Sequence, residues 1–158
     1  MHFFHLLTAK QHAGLCGVLL GAGLAMVAGT GAMAQAMLPN ACPVDGCEVK
    51  IVSVTKSGDE LELTLESNFT PDVSRNHFHV WWGESYTIEQ VSNNAETTYN
   101  VKQGDWHPTG DYPSYVTQSG ASVSVRNGAH TICVTAADRN HDILDPKIYQ
   151  CMDVGDRL

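Results

Sequence analysis

Leucine alternates with acidic or hydroxyl side chains from Glu60 to Glu66: Leu61, Leu63 and Leu65 point one way, Glu60, Glu62, Thr64 and Glu66 the other. A period of two with one charged face marks a half-buried strand of an antiparallel sheet. Val49 to Thr55, rich in Val, Ile and Thr, predicts the strand before it, with Ser57-Gly58-Asp59 as the turn between. After the turn signal Thr70-Pro71-Asp72, the run Asn76-His77-Phe78-His79-Val80-Trp81-Trp82-Gly83 reads as an aromatic strand in the middle of a sheet. Tyr86 to Val91 and Glu96 to Val101 are expected as shorter strands around an Asn93-Asn94 turn, and Gly104 to Pro113 as a long loop without period. Val116 and Val123 to Arg126 resume the strand pattern, and Asn127-Gly128 is a tight-turn signal. Beyond it Ile132, Val134 and Ala136 alternate again, and Ile148, Gln150 and Met152 repeat the period after a polar loop.

No segment past the N-terminal region carries a 3.6-residue apolar period, so the expected fold is all-β. Many short strands separated by regular turn signals predict an immunoglobulin-like antiparallel β-sandwich of seven to nine strands. An open barrel or jelly roll is the alternative.

The first part of the chain changes the domain picture. Lys10 precedes a small and apolar run from Ala13 to Ala34, and Ala32-Met33-Ala34 and Ala34-Gln35-Ala36 both fit the small-x-small cleavage rule. Residues 1–36 are therefore expected to be a cleavable signal peptide, with an uncleaved membrane anchor as the competing reading. A Cys-containing lead-in over 37–48 and one sandwich domain over 49–158 follow. The expected location is periplasmic or secreted, with no membrane partner after cleavage.

The chain carries nine Lys+Arg against seventeen Asp+Glu; without Lys10 the balance is eight against seventeen, a formal charge of -9. Such a surface makes nucleic acid and anionic membranes poor partners. Four cysteines lie beyond the expected cleavage point, and an even number in an exported chain implies disulfides. The expected pairs are Cys42–Cys47, closing a short loop, and Cys133–Cys151, joining two strands that the pattern already makes neighbours. Zinc is the competing reading for these cysteines, although neither spacing is that of a zinc knuckle.

Candidate chemistry gathers at two places. His77 and His79 project from one face of an extended strand, about 7 Å apart, within reach of one ion. If that strand pairs antiparallel with the 129–136 strand, its start lies beside the loop carrying Asp138, Asn140, His141, Asp142 and Asp145. His130, at the other end, is then about 20 Å or more away by the rise per residue. The expected metal set is His77, His79 and His141, with Asp138 or Asp142 as fourth ligand or as the group that orients them. Imidazole favours Cu or Zn over Ca or Mg.

The ordered motifs His77-Phe78-His79, Gly128-Ala129-His130-Thr131 and Asp138-Arg139-Asn140-His141, followed by Asp145-Pro146, are similar to those of a group of uncharacterised exported bacterial immunoglobulin-like β-sandwich domains. The resemblance covers about the C-terminal half of the chain. It implies the same fold and compartment, and no settled activity.

Three functions compete. The first is an exported, non-enzymatic binding module whose His-rich end holds Cu, Zn or a small polar ligand. The second is a carbohydrate- or surface-binding module using Trp81, Trp106, Tyr112 and Tyr115 as stacking faces, with Asp105, His107 and Asp111 as hydrogen-bonding groups; its expected ligand-binding residues are Trp106, His107 and Tyr112. The third is a structural domain that meets a protein partner along a sheet edge. No Ser-His-Asp arrangement in a nucleophile context is present, so binding is expected rather than catalysis.

Overall fold

The computed structural model describes residues 38–158; the expected signal peptide, residues 1–36, lies outside the described residues. Seven strands are present among them: β1 (Val49–Ser57), β2 (Glu60–Ser67), β3 (Asn76–Trp82), β4 (His107–Thr109), β5 (Ser114–Val116), β6 (Thr131–Asp138) and β7 (Tyr149–Asp153). They form two antiparallel sheets in the orders β1-β2-β5 and β4-β3-β6-β7. Among the described residues helix is limited to one turn, α1 (Glu96–Tyr99), and short 3-10 turns.

The main core lies between the sheets. Leu61, Leu63 and Leu65 of β2 enter it while Glu62, Thr64 and Glu66 face outward, as the alternation requires. In β1 the register shifts between Ile51 and Ser53, so Val49, Ile51 and Val54 all face the core despite their odd-even mismatch. Phe78, Val80 and Trp82 of β3 meet Ile132, Val134 and Ala136 of β6 in the same core. Trp82 Nε1 donates to the Ser122 carbonyl at 3.0 Å, which removes the cost of burying an indole N–H.

A two-residue hairpin joins β1 to β2, and Gly58 stands at its first position with φ +64°. A Cβ there would meet nothing within 4 Å, so only the backbone opposes a side chain. Gly58→Ala is expected to cost about 1 kcal/mol, read as a lowered urea midpoint at unchanged slope.

Both expected disulfides form, Cys42–Cys47 and Cys133–Cys151, the second between residues directly opposite on β6 and β7. Two such bonds suggest an oxidising compartment. Among the described residues no helix is long and apolar enough to cross a membrane. The lead-in packs onto the sandwich: Ala41 and Cys47 belong to the core, and Asn76 Nδ2 donates to the Ala41 carbonyl at 2.6 Å.

Three segments differ from expectation. Tyr86 to Val91 and Glu96 to Val101 are not strands; Ile88–Gln90 and Asn93–Ala95 are 3-10 turns followed by α1. Ile88, Val91 and Val101 form a second apolar cluster with Trp81, Trp106 and Cys133, on the face of the β4-β3-β6-β7 sheet that points away from the main core. The segment is thus a cover laid over a sheet rather than part of one. Val123–Val125 is a 3-10 turn, held by the Glu60 carboxylate, which accepts from Val123 N at 2.9 Å. Within the expected loop, His107–Thr109 adds the edge strand β4.

Candidate metal centre

Alternation along β3 decides where the histidines go. With Phe78, Val80 and Trp82 committed to the main core, His77, His79 and Trp81 take the other face, beneath the 83–106 cover. That is why all seven residues of β3 are buried, and why His77 and His79 are 4% and 0% exposed. On the neighbouring strand His77 stands opposite Ala137 and His79 opposite Thr135, and small residues there leave room for rings.

His141 arrives from the turn after β6. Asp138 Oδ1 accepts from Asn140 N at 2.7 Å and from Asp142 N at 3.1 Å, and Asp138 N donates to the Asp142 carbonyl at 2.9 Å. His141 N donates to the Asp138 carbonyl at 3.0 Å, and its own carbonyl accepts from Asn93 N at 2.8 Å. Its φ of +67° is a left-handed conformation, uncommon for a residue other than glycine. The result is a ring folded back onto β3.

The three imidazoles converge. His77 Nε2 lies 3.0 Å from His79 Nε2 and 2.8 Å from His141 Nδ1, and one ligand nitrogen from each ring falls within 4.8 Å of the others. Two nitrogens bound to one ion at about 2.0–2.1 Å can stand no more than about 4.2 Å apart. Both short separations lie inside that limit.

His79 is oriented by the cover. Its Nδ1 is 2.6 Å from the Val91 carbonyl, which can only accept, so the proton sits on Nδ1 and Nε2 presents a lone pair to the cluster. Trp106 stacks on the other side, ring centroids 3.9 Å apart and planes 27° from parallel. A backbone carbonyl that accepts from the far ring nitrogen is a partner metal-ligating histidines commonly have, and the Trp106 stacking holds the ring plane.

The electrostatics keep the rings neutral. Burial pushes His77 down to about 4, helped by the neighbouring His141 and opposed by the Asp138 carboxylate. Burial also holds His79 well below the ordinary histidine value, and lowers His141 against the pull of Asp138 and Asp142. Neutral imidazole is the ligating form, so no proton has to leave at neutral pH. Beside them Asp138 Oδ2 and Asp142 Oδ1 are buried without a hydrogen-bond partner among the described residues. Burial raises Asp142, and Asp138 adds to it. Two carboxylates with an open oxygen each are costly to bury unless a positive charge offsets them.

The converging donors are His77, His79 and His141; neither Asp138 nor Asp142, expected as fourth ligand or as the group that orients the histidines, is among them. Asp138 Oδ1 accepts from the Asn140 and Asp142 amides of the turn that carries His141. His130 stands apart, with Nδ1 3.3 Å from Glu84 Oε1 and 3.4 Å from Asp153 Oδ2. The exposed aromatic platform is not formed. Trp81, Trp106 and Tyr115 are each about 1% exposed, the first two in the second cluster and the third in the main core. His107 is half-buried, stacked on Tyr115 at 5.6 Å, and Tyr112 packs toward Phe78 at 6.2 Å. Trp81, Trp106 and Tyr115 therefore present no exposed ring face. Sequence reasoning missed the Val91 carbonyl, which carries no residue-type signal, and the place of Trp106 as a wall.

Comparison with protein-family models, with curated proteins and with solved structures gave no match to this chain.

Proposed function

We propose that this chain is an exported, periplasmic or secreted binding module of the immunoglobulin-like type, which holds one Cu or Zn ion through His77, His79 and His141 and does not convert a substrate. The strand orders β1-β2-β5 and β4-β3-β6-β7 support that sandwich type, with β3 and β6 in its two central places. The two disulfides and the signal-like residues 1–36 support export.

One observation carries the metal reading: a single nitrogen, His77 Nε2, has two imidazole nitrogens within 3.0 Å. An imidazole nitrogen has one in-plane direction, filled by either one N–H or one lone pair. It can therefore make one good two-centre hydrogen bond, not two. With the lone pair of His79 Nε2 also turned inward, hydrogen bonding leaves one contact unsatisfied in any arrangement of protons. An ion at the convergence uses all three lone pairs at once.

Metal analysis tests this. Protein loaded with Cu(II) or Zn(II) and then desalted is expected to retain one equivalent, and the H77A/H79A double variant about a tenth of that or less. Equal metal content in the two, or none in either, overturns the proposal.

A further inference from the structure

The distances at the cluster are unequal, and the inequality distinguishes between metals. An ion bonded to imidazole nitrogens at about 2.0–2.1 Å keeps neighbouring nitrogens about 2.9 Å apart when they meet at a right angle, and about 3.3 Å apart at the tetrahedral angle. The two short separations, 3.0 and 2.8 Å, both belong to His77 Nε2 and both match the right angle. His79 and His141 are the distant pair: their ring centroids are 5.8 Å apart, against 5.0 Å for His77 with His79 and 4.6 Å for His77 with His141. Two right angles sharing one corner form a T, whose outer nitrogens stand about 4.1 Å apart around an ion. Their separation of at most 4.8 Å needs a closure of no more than about 0.7 Å, by a half-buried ring on a turn.

We infer that the ion is copper, held in a tetragonal T of three imidazoles with His77 at its corner and an open position opposite it. This rests on the proposed metal centre and adds the identity and geometry of its ion. Zinc, without a d-electron preference, takes the tetrahedral arrangement in nearly all three- and four-ligand protein sites. Tetragonal nitrogen sets select Cu(II) or Ni(II), and copper stands above nickel and zinc in affinity for the same ligands. The buried, unpartnered oxygens of Asp138 and Asp142 lie on the turn that carries His141, where a cation would offset the cost of burying them.

The test uses the full chain, stripped with a chelator and offered Cu(II) and Zn(II) together at one equivalent each. Copper alone is expected to remain bound, with an axial paramagnetic resonance spectrum split by three nitrogens. His141→Gly is expected to keep the fold, because its backbone already has a positive φ, and to reduce the three nitrogens to two. Trp106, stacked on His79, gives a second readout: its fluorescence should be quenched by Cu(II) and unchanged by Zn(II). Zinc retained against equimolar copper overturns the copper assignment and leaves the metal centre standing. So does a copper spectrum with the small hyperfine splitting of a near-tetrahedral ion. Failure to bind either metal overturns both.

Discussion

Cu(II) or Zn(II) added to the metal-free protein at a free concentration a hundred times its Kd is expected to raise Tm by about 10 °C. Mass action sets the size: an ion that binds the folded chain and not the unfolded one stabilises it by RT ln(1 + [L]/Kd), about 2.7 kcal/mol at that ratio and about 4.1 kcal/mol at a thousandfold. For a domain of roughly 120 residues each kcal/mol moves Tm by about 3–5 °C. The unfolded reference is favourable here, since His77 and His141 are brought together only by β3 pairing with β6. Magnesium at the same concentration should leave Tm unmoved, because the ligands are imidazoles and not oxygens. At the same metal concentration His141→Gly, left with two of the three imidazoles, should lose most of the shift while keeping the metal-free Tm within a few degrees. A full shift in that variant would place the ion elsewhere on the chain.

The part of the centre legible in the sequence is the part fixed by strand geometry. A period of two puts His77 and His79 on one face, and antiparallel pairing of β3 with β6 brings the 138–142 turn to their end and leaves His130 at the other; both follow from residue order alone. What was not legible is the second layer. Tyr86 to Val101 contains β-branched residues in short stretches, which reads as strand; yet the apolar residues buried between 88 and 95, Ile88, Val91 and Ala95, are spaced three and then four apart, a turn-like spacing. Nothing local says that such a segment will lie across the outer face of a sheet. The demand comes from β3: with Trp81 beside His77 and His79, that face is too apolar to stay wet. Once the cover is in place, Trp106 is a wall and the Val91 carbonyl an anchor, so Trp81 and Trp106, two of the residues that suggested a sugar platform, are used up inside the protein.

Lowering the pH from 7 to 4.5 is expected to remove about 2 kcal/mol from the stability of the metal-free protein through His77 alone. Its folded value is about 4 and its ordinary value 6.5. Between the two the unfolded chain holds the proton and the folded one does not, so stability is complete above about 6.5 and is lost as pH falls toward 4. The full difference of about 2.5 units corresponds to roughly 3 kcal/mol, and most of it is spent by pH 4.5. His79 and His141 are lowered by burial as well and add in the same direction. Asp142, raised by burial, acts oppositely, since its folded form keeps a proton that the unfolded form gives up as pH rises. Glu60 and Glu84, lowered by their hydrogen bonds, contribute only near the bottom of the window. Urea midpoints at pH 7, 6, 5 and 4.5 measure the loss, and His77→Gln, which cannot titrate, isolates its source. In that variant the pH slope should fall by up to one proton, whereas an unchanged slope would remove His77 from the acid response. Bound metal should steepen the same curve in the parent protein, because each ring that takes a proton gives up the lone pair that holds the ion.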